Sequence, residues 1–375
     1  MRRNNIFLIF LLWVCWLGGG LPGLAHAQSK QPAIALFTHR WEEDAFWGRY
    51  VGFAEKAAKD FNLRLKAHYA QNNLPRMRQQ IEQAASSGEF DLLIFPNFKH
   101  GGRSFLEIAE RHQVPAFMVN QGFTETEKMG QPRQEFSYWI GELLPDESEA
   151  GELLAKSLIE EGKQRFGGSV EQPLEVVGIT GIVSGYAALE RVRGLERMAQ
   201  RYLEVRIRQI VPANWQESEA AQSFAILHRR YPKVQLVWCA SDVMAQGVIA
   251  AARAQGLTPG KDVLIGGVDW AEVGLQAVAS GTQWASVGGH FLEGGWSVVL
   301  AFDYLQGRDF GKLHVSWRTR MEAVSAENWE AVSPALEQLR PEQIDFRKYS
   351  RHLNPEKVSY DFRVDAVLEQ IQSKS

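Results

Sequence analysis

Short apolar segments alternate with longer segments of helical periodicity along most of the chain, and this alternation limits the folds available to it. In the first third, apolar or alternating runs predict strands, and apolar side chains at helical spacing predict helices between them. The expected strands are 33–38, 63–69, 91–95 and 115–119, and the expected helices are 44–61, 74–84 and 103–112. A repeated strand–helix order predicts a parallel sheet with helices on both faces.

The same order restarts after Pro132 and continues through the second half. The expected strands there are 136–140, 174–179, 204–211, 234–239, 262–267 and 283–287, and the expected helices are 145–162, 186–202, 216–230, 242–255, 270–280 and 291–306. About 350 residues remain after the N-terminal segment described below, more than the roughly 250–300 that one hydrophobic core serves. The sequence therefore predicts an α/β fold of two Rossmann-like lobes with parallel sheets, joined by a hinge.

The N-terminal segment 1–27 is typical of a cleaved export signal. Arg2 and Arg3 precede an uncharged apolar run at 6–19, and the small-residue pattern Ala-His-Ala follows at 25–27. The alternative is a membrane anchor, but the apolar run is shorter than the ~20 residues that a spanning helix needs. We predict cleavage after this segment and a periplasmic mature protein.

The patterns also predict where the lobes begin and end. We expect an N-terminal lobe from 28–130 plus about 288–315, a C-terminal lobe from 131–287 and a C-terminal extension from 316–375. The expected crossings between the lobes are the polar stretch 122–135 and segments near 270–290 and 305–315. Spaced aromatic residues in the extension indicate that it docks on its own lobe rather than on a partner; they are Trp317, Trp329, Phe346, Tyr349 and Tyr360.

The charge of the mature chain is small and well mixed. Loss of Arg2 and Arg3 from 41 basic residues leaves 39 against 44 acidic ones, a net charge of −5. This balance argues against nucleic acid or an anionic membrane as the main partner. Cys239 is then the only cysteine, and its apolar surroundings predict a buried core thiol. The histidines lack metal-ligand spacing, so neither a metal nor another cofactor is expected.

Polar and aromatic residues follow the expected strands in both halves of the chain. Ligands of open parallel sheets bind beyond the carboxyl ends of the strands, so these residues are the candidate binding site. They are Asp44, Phe46, Trp47, Asn97, Asn120 and Gln121 in the first half and Arg191, Trp215, Ser241, Asp269 and His290 in the second. Aromatic planes that cover C–H faces, together with charged groups that bind hydroxyls, suit a polyhydroxylated, sugar-like ligand.

Several stretches resemble a known family over roughly residues 31–310. They are DAFWGRYVGFAEKAA at 44–58, DLLIFPN at 91–97, AFMVNQG at 116–122, ALERVRGLERMA at 188–199, WCASDVMAQGVIAA at 238–251 and VLIGGVDW at 263–270. In this order they resemble the type I periplasmic binding proteins, specifically the ribose-binding-protein-like group of sugar-binding proteins. The chain also resembles the periplasmic autoinducer-binding proteins, which share the fold but report to a sensor kinase.

The resemblance implies roles for individual residues. Asp44, Phe46 and Trp47 occupy positions at which an asparagine and two aromatic residues grip the ligand in the family. Arg191 and Asp269 match the family's ligand-binding arginine and aspartate. These matches imply that the ligand site and the two-lobe fold are kept.

The sequence departs from the family pattern at other site positions. The family's contacting asparagine after the third strand is a phenylalanine here, so either Asn97 takes its role or the contact is lost. Asn120 and Gln121 replace a typical Asp-Arg pair, and Ser241 replaces an asparagine. A glycine replaces a glutamine, for which the adjacent His290 can substitute. The changes leave simple ribose or glucose in doubt as the ligand.

Each candidate also has a purely structural interpretation. Asp269 could cap the helix that follows it, and Asp44 could cap the first helix, because aspartate is a favoured N-cap residue. Of the neighbouring aromatic residues Phe46 and Trp47, one is expected to be core. Trp215 matches the family's stacking aromatic, yet its polar setting fits a surface position equally well.

Three functions remain open from the sequence. The first is a receptor that closes around its ligand by hinge motion and delivers it to an ABC permease. The second is a sensory receptor that presents the ligand to a membrane kinase, cyclase or chemoreceptor. The third, a periplasmic enzyme, is disfavoured because the chain lacks the hydrolase elbow, zinc-protease, Walker and dinucleotide-binding motifs, so no catalytic residue is assigned. We expect a monomeric binding protein.

Overall fold

Two six-stranded sheets organise residues 31–373, the part of the chain that the computed structural model describes. The strands are β1 (Ala33–Thr38), β2 (Arg64–Tyr69), β3 (Leu92–Phe95), β4 (Ala116–Val119), β5 (Trp139–Pro145), β6 (Leu174–Thr180), β7 (Val205–Pro212), β8 (Leu236–Cys239), β9 (Leu264–Val268), β10 (Ala285–Gly288), β11 (Ser316–Thr319) and β12 (Glu322–Ser325). The first sheet has the order β11-β5-β4-β3-β1-β2 and the second β12-β10-β9-β8-β6-β7. Apart from the antiparallel pair β10–β12, the pairings are parallel, which confirms the expected two-lobe α/β fold.

Helices cover both faces of each sheet. They are α1 (Trp47–Asp60), α2 (Leu74–Ser86), α3 (Gly102–His112), α4 (Glu147–Phe166), α5 (Tyr186–Arg201), α6 (Glu217–Arg230), α7 (Asp242–Ala254), α8 (Glu272–Ala279), α9 (Glu293–Leu305), α10 (Trp329–Glu337) and α11 (Val364–Gln372). In α1, Tyr50, Phe53, Ala54 and Ala57 recur at helical spacing and are buried. β1 is buried along its whole length, as expected for a strand covered on both faces.

The first crossing between the lobes lies later in the chain than the sequence analysis expected. The strand expected at 136–140 was assigned to the C-terminal lobe, whereas β5 pairs in parallel with β4 in the first sheet. The stretch 122–135 therefore stays in the first lobe, and the chain leaves it after Pro145. The physical reason is that a buried apolar strand fits the interior of either sheet, and its sequence does not specify which backbone it pairs with.

The expected C-terminal extension is also partly wrong, because its first ten residues include β11 and β12, one strand of each sheet. β11 pairs in parallel with β5 and β12 pairs antiparallel with β10, so the chain passes from the first sheet to the second at residues 320–321. This passage replaces the crossing expected near 305–315. We call 145–147, 289–292 and 320–321 the first, second and third hinge segments.

The remaining C-terminal residues pack on the first lobe, which confirms the expectation that the extension docks on its own lobe. The ring of Phe362 stacks on Trp296 of α9 with centroids 5.4 Å apart. The ring of Phe346 lies so close to Gly295 that a β-carbon there would be 2.1 Å from it. Buried Asp303 at the end of α9 accepts hydrogen bonds from this tail and fixes its course.

Two further features concern the cysteine of the second lobe and the apolar character of the helices. Cys239 is fully buried in the second lobe, as predicted. Among the helices of residues 31–373, none combines the length and apolar character needed to cross a membrane. The predicted export signal lies outside the described residues.

We predict that Asp303→Asn loosens the tail. The carboxylate accepts hydrogen bonds from Ser350 Oγ at 2.5 Å, the Arg351 backbone N–H at 2.7 Å and Tyr360 Oη at 2.8 Å. An amide nitrogen cannot accept, so urea unfolding should show a loss of about 2–3 kcal/mol, and limited proteolysis should cut the tail faster. Asp361→Asn is the matched control, because its pair with Arg363 is solvent-exposed and contributes at most ~1 kcal/mol. Equal losses in the two variants would contradict the prediction.

Candidate functional site

A cavity of about 290 Å³ lies at the carboxyl ends of both sheets and is lined by both lobes. Its size is close to the lower end of the ~300–1,000 Å³ typical of small-molecule sites. The first lobe contributes His39, Arg40, Asp44, Ala45, Phe46, Trp47, Asn120 and Gln121; the second lobe with the hinge contributes Glu147, Ala187, Arg191, Trp215, Ser241, Val243, Asp269, Ala271 and His290.

The structure brings ten of the eleven candidate residues to this cavity, and Asn97 is the exception. Its Nδ2 donates to the Gly122 carbonyl and to the Glu127 carboxylate, each at 3.0 Å, and its Oδ1 accepts from the Gly102 N–H at 2.8 Å. These bonds occupy the whole amide within the first lobe, so Asn97 orders the 122–127 segment instead of lining the cavity. For the other ten residues, ligand binding remains a prediction.

A buried arginine is at the centre of the second-lobe wall. Arg191 of α5 is 3% exposed. Its guanidinium donates to Glu147 at 2.5 and 3.1 Å, to Asp269 at 3.0 Å and to the Ala240 carbonyl at 2.6 Å. The two carboxylates raise the pKa of Arg191 and keep it charged, whereas burial raises the pKa of Glu147 and of Asp269. A fixed cation and two fixed carboxyl groups thus meet at the cavity.

The sequence offered helix capping as an alternative role for Asp269 and Asp44, and the structure supports that role for Asp44 but not for Asp269. The N-cap of α8 is Ala271, so Asp269 does not cap that helix, and its carboxylate turns to Arg191 instead. Asp44 does hold the start of α1, since its Oδ1 accepts from the backbone N–H groups of Phe46 and Trp47. Asp44 also lines the cavity, so capping and ligand contact are compatible there.

Asp242, directly after the N-cap of α7, supports the loop that carries Asp269. Its carboxylate accepts from the Ala271 N–H at 2.9 Å, from Ser286 Oγ at 2.7 Å and from Gln283 Nε2 at 2.7 Å. Burial outweighs these donors and raises the pKa of Asp242 to about 7. This carboxyl group positions the cavity wall without lining the cavity.

Left-handed backbone conformations occur at three lining residues that are not glycine. The φ angles are +61° at Asn120, +63° at Trp215 and +111° at Asp269. Non-glycine residues rarely adopt such angles, and they cluster at functional sites where the surrounding structure holds them. The backbone geometry therefore supports a functional role for this cavity.

Aromatic rings form two opposite parts of the lining. Phe46 stacks on His290 with centroids 4.4 Å apart, whereas Trp47 is 3% exposed and belongs mainly to the core, so one of this pair is core as expected. Trp215 lies against Gly181, where a β-carbon would be 2.0 Å from the indole, and within 5.8 Å of the Arg191 guanidinium. The structure therefore places Trp215 at the cavity rather than on an open surface.

Sequence reasoning missed His39, Arg40 and Glu147. The first two directly follow β1 and the third follows β5, so the strand-end rule applies to all three. Glu147 was missed because its strand was expected to end at residue 140. Burial lowers the pKa of His39 to about 3 and that of His290 well below its ordinary value, so both rings are neutral at physiological pH.

Within residues 31–373, no group of three or more histidine, cysteine, aspartate and glutamate side chains has an arrangement that could hold a metal ion. Every cation of the cavity lining is paired: Arg40 with Asp44 at 2.7 Å, and Arg191 with Glu147 and Asp269. The lining therefore offers carboxylates, amides, neutral imidazoles and aromatic faces to a ligand.

The fold and the two-lobe cavity define a solute-binding protein, and the chain belongs to the periplasmic binding protein family, whose domain model matches residues 34–309. A periplasmic sugar-binding protein from Pseudomonas fluorescens is 28% identical, with a TM-score of 0.79 over 90% of this chain and 99% of that chain. The resemblance drawn from the sequence is thus confirmed.

Two further relatives differ more in sequence. The galactofuranose-binding protein YtfQ of Escherichia coli (strain K12) is 22% identical over 259 residues, which cover 68% of this chain and 77% of the relative. The binding-protein component of the arabinose ABC transporter from Shewanella sp. ANA-3 is 20% identical, with a TM-score of 0.71 over 82% of this chain and 96% of that chain. These relatives are binding proteins, and the likeness to the arabinose protein shows the shared fold.

We predict that Glu147→Gln destabilises the folded protein. The substitution leaves the buried charge of Arg191 with one carboxyl partner instead of two, and breaking a buried pair costs about 3–5 kcal/mol. Urea unfolding measures the loss. Glu152→Gln on the same helix is the matched control, because its partners Arg197 and Arg201 are exposed and the change should be at most ~1 kcal/mol. A small effect at Glu147 would show that the pair does not hold the wall together.

We also predict a pH effect from His39. Because its folded pKa of about 3 lies below the usual value of 6.5, the unfolded chain binds a proton that the folded chain does not. The stability from the neutral ring is present above pH ~6.5 and is lost as the pH falls towards ~3. Relative to His39→Phe, the parent should lose about 1.4 kcal/mol of unfolding free energy per pH unit in this range. The carboxyl groups titrate in both proteins, so their contribution cancels in the difference between the two unfolding free energies. Parallel curves of unfolding free energy against pH would refute the lowered pKa of His39.

Proposed function

We propose that this protein captures a small neutral sugar or polyol in the periplasm, by closure of its two lobes, for delivery to an ABC transporter. The observation that carries the proposal is the Arg191–Glu147–Asp269 group, which meets an aromatic wall in a cavity shared by both lobes. Fixed carboxylates and a guanidinium bind hydroxyl groups strongly, and the aromatic faces of Phe46 and Trp215 cover C–H surfaces.

The charge of the lining favours a neutral ligand. Arg40 and Arg191 are both paired with carboxylates, and the two lining histidines are neutral, so no cation is available for an acidic ligand. A carboxylate or phosphate would instead lie beside the acidic groups Asp44, Glu147 and Asp269, with no unpaired cation in the lining to balance its charge. A hydroxyl group can donate to these carboxylates without that penalty.

Closure follows from the distribution of the lining over two lobes. A ligand that contacts Phe46 and Asn120 on one side and Arg191 and Asp269 on the other stabilises the form in which both sides reach it. Both sides come from one chain, which supports a monomeric receptor. The relatives named for sugar binding and for an arabinose ABC transporter support the ligand class and the transport role. The sequence of residues 1–27 supports export.

A thermal-shift screen tests the proposal with D-galactose, L-arabinose and xylitol against D-galacturonic acid. We expect at least one neutral compound to raise the melting temperature, since a ligand at 100 times its Kd adds about 2.7 kcal/mol of stability. The uronic acid should give no shift. A shift with the acid alone would refute the neutral-ligand proposal.

Asp269→Ala tests the site with the compound that binds. We expect affinity to fall roughly 30-fold or more by calorimetry, equivalent to about 2 kcal/mol, because a hydrogen-bonding group held in place by Arg191 is lost. Asp262→Ala is the matched control: it precedes β9, whose other end leads to Asp269, and it caps a surface turn by accepting from the Thr258 N–H. Equal affinities in the two variants would remove Asp269 from the site.

A further inference from the structure

Thr319, the last residue of β11, bonds to the first hinge segment and to the residue after the second, and it directly precedes the third. Its carbonyl accepts a hydrogen bond at 2.8 Å from the backbone N–H of Asp146, in the first hinge segment. Its hydroxyl donates to Oε1 of Glu293, the residue that follows the second hinge segment. Thr319 itself directly precedes the third hinge segment at 320–321. One buried residue, 2% exposed, thus joins the three passages between the lobes.

The same contacts continue into the cavity. Asp146 is followed by Glu147, whose carboxylate holds Arg191. On the other side, Glu293 closes the short helical turn His290–Leu292, and His290 lies 3.4 Å from the Arg191 guanidinium. A ring of contacts therefore runs from Arg191 through the first hinge segment to Thr319 and back through the second.

The Glu293 side chain depends on Thr319 for its hydrogen bond. Its side chain is fully buried, and its Oε2 has no hydrogen-bond partner among residues 31–373. Burial raises the pKa of Glu293 well above its ordinary value, which favours the uncharged form of the carboxyl group. Among the described residues, the hydrogen bond from the Thr319 hydroxyl is therefore the one that replacement of this carboxyl group removes.

We propose that Thr319 is a positioning residue for ligand binding, which sets the relative orientation of the two lobes by joining the hinge segments through its hydroxyl and carbonyl groups. Hinge motion needs residues that absorb the rotation and contacts that define its end points. The Thr319 hydroxyl supplies such a contact. Its removal widens the range of lobe orientations in the absence of ligand.

The test measures the distance between the lobes in ligand-free protein by pulsed electron paramagnetic resonance. Spin labels are attached at Gln83→Cys on α2 and at Leu203→Cys, which are both exposed and lie on different lobes. Cys239 is fully buried and takes no label, and Cys15 is replaced by serine. We expect Thr319→Val to roughly double the width of the distance distribution, because the side chain keeps its shape but loses the contact between hinge segments.

Companion variants separate positioning from a general loss of stability. Thr319→Ser keeps the hydroxyl and Glu293→Gln keeps the acceptor, so both should give the parent distribution. Glu293→Met removes the acceptor and should broaden the distribution even if Thr319→Val does not fold. Thr180→Val removes a buried hydroxyl of the second lobe, which bonds the Ala188 carbonyl, and should leave the distribution unchanged.

Either of two results would overturn the proposal: a parent-like distribution in both Thr319→Val and Glu293→Met, or equal broadening in Thr180→Val. The measurement contains no ligand, so its outcome does not depend on which sugar binds.

Discussion

The constraint on which the site depends is the burial of the Arg191 charge. A guanidinium removed from water must have carboxylate and carbonyl partners, and these come from three separate segments: Glu147 after β5, the Ala240 carbonyl after β8 and Asp269 after β9. The need to satisfy one cation therefore fixes three strand ends relative to each other. The cavity has its second-lobe wall because these segments converge on the arginine.

The hinge contacts connect the Arg191 group to the first lobe. The segment that supplies Glu147 is hydrogen-bonded to Thr319, and the segment that supplies His290 is followed by Glu293, which Thr319 also contacts. His290 then stacks on Phe46 of the first lobe. Cavity-lining groups and hinge contacts are thus neighbours along the chain, which places the candidate ligand contacts next to the segments that join the lobes.

Much of the fold and most of the site were predictable because they depend on local patterns. Apolar periodicity located α1 and β1, and the rule that ligands meet the carboxyl ends of parallel strands led to Arg191, Trp215 and Asp269. The same rule led to Asn97, where it failed, because the side chain found its partners in Gly122 and Glu127. The position of a strand end predicts which residues lie near the candidate site. The direction of each side chain depends instead on the hydrogen-bond partners that compete for it.

Local sequence patterns predict an export signal at residues 1–27, and they account for the alternation of strands and helices and for the division into two lobes. Contacts between distant parts of the chain determine that β5 and β11 join the first sheet, that β12 joins the second, and that Thr319 lies beside the hinge segments. The reason is that apolar periodicity depends only on the side chains within one segment of the chain. The choice of sheet is instead made by backbone groups, which are the same in every residue except proline, and by partners distant in the chain.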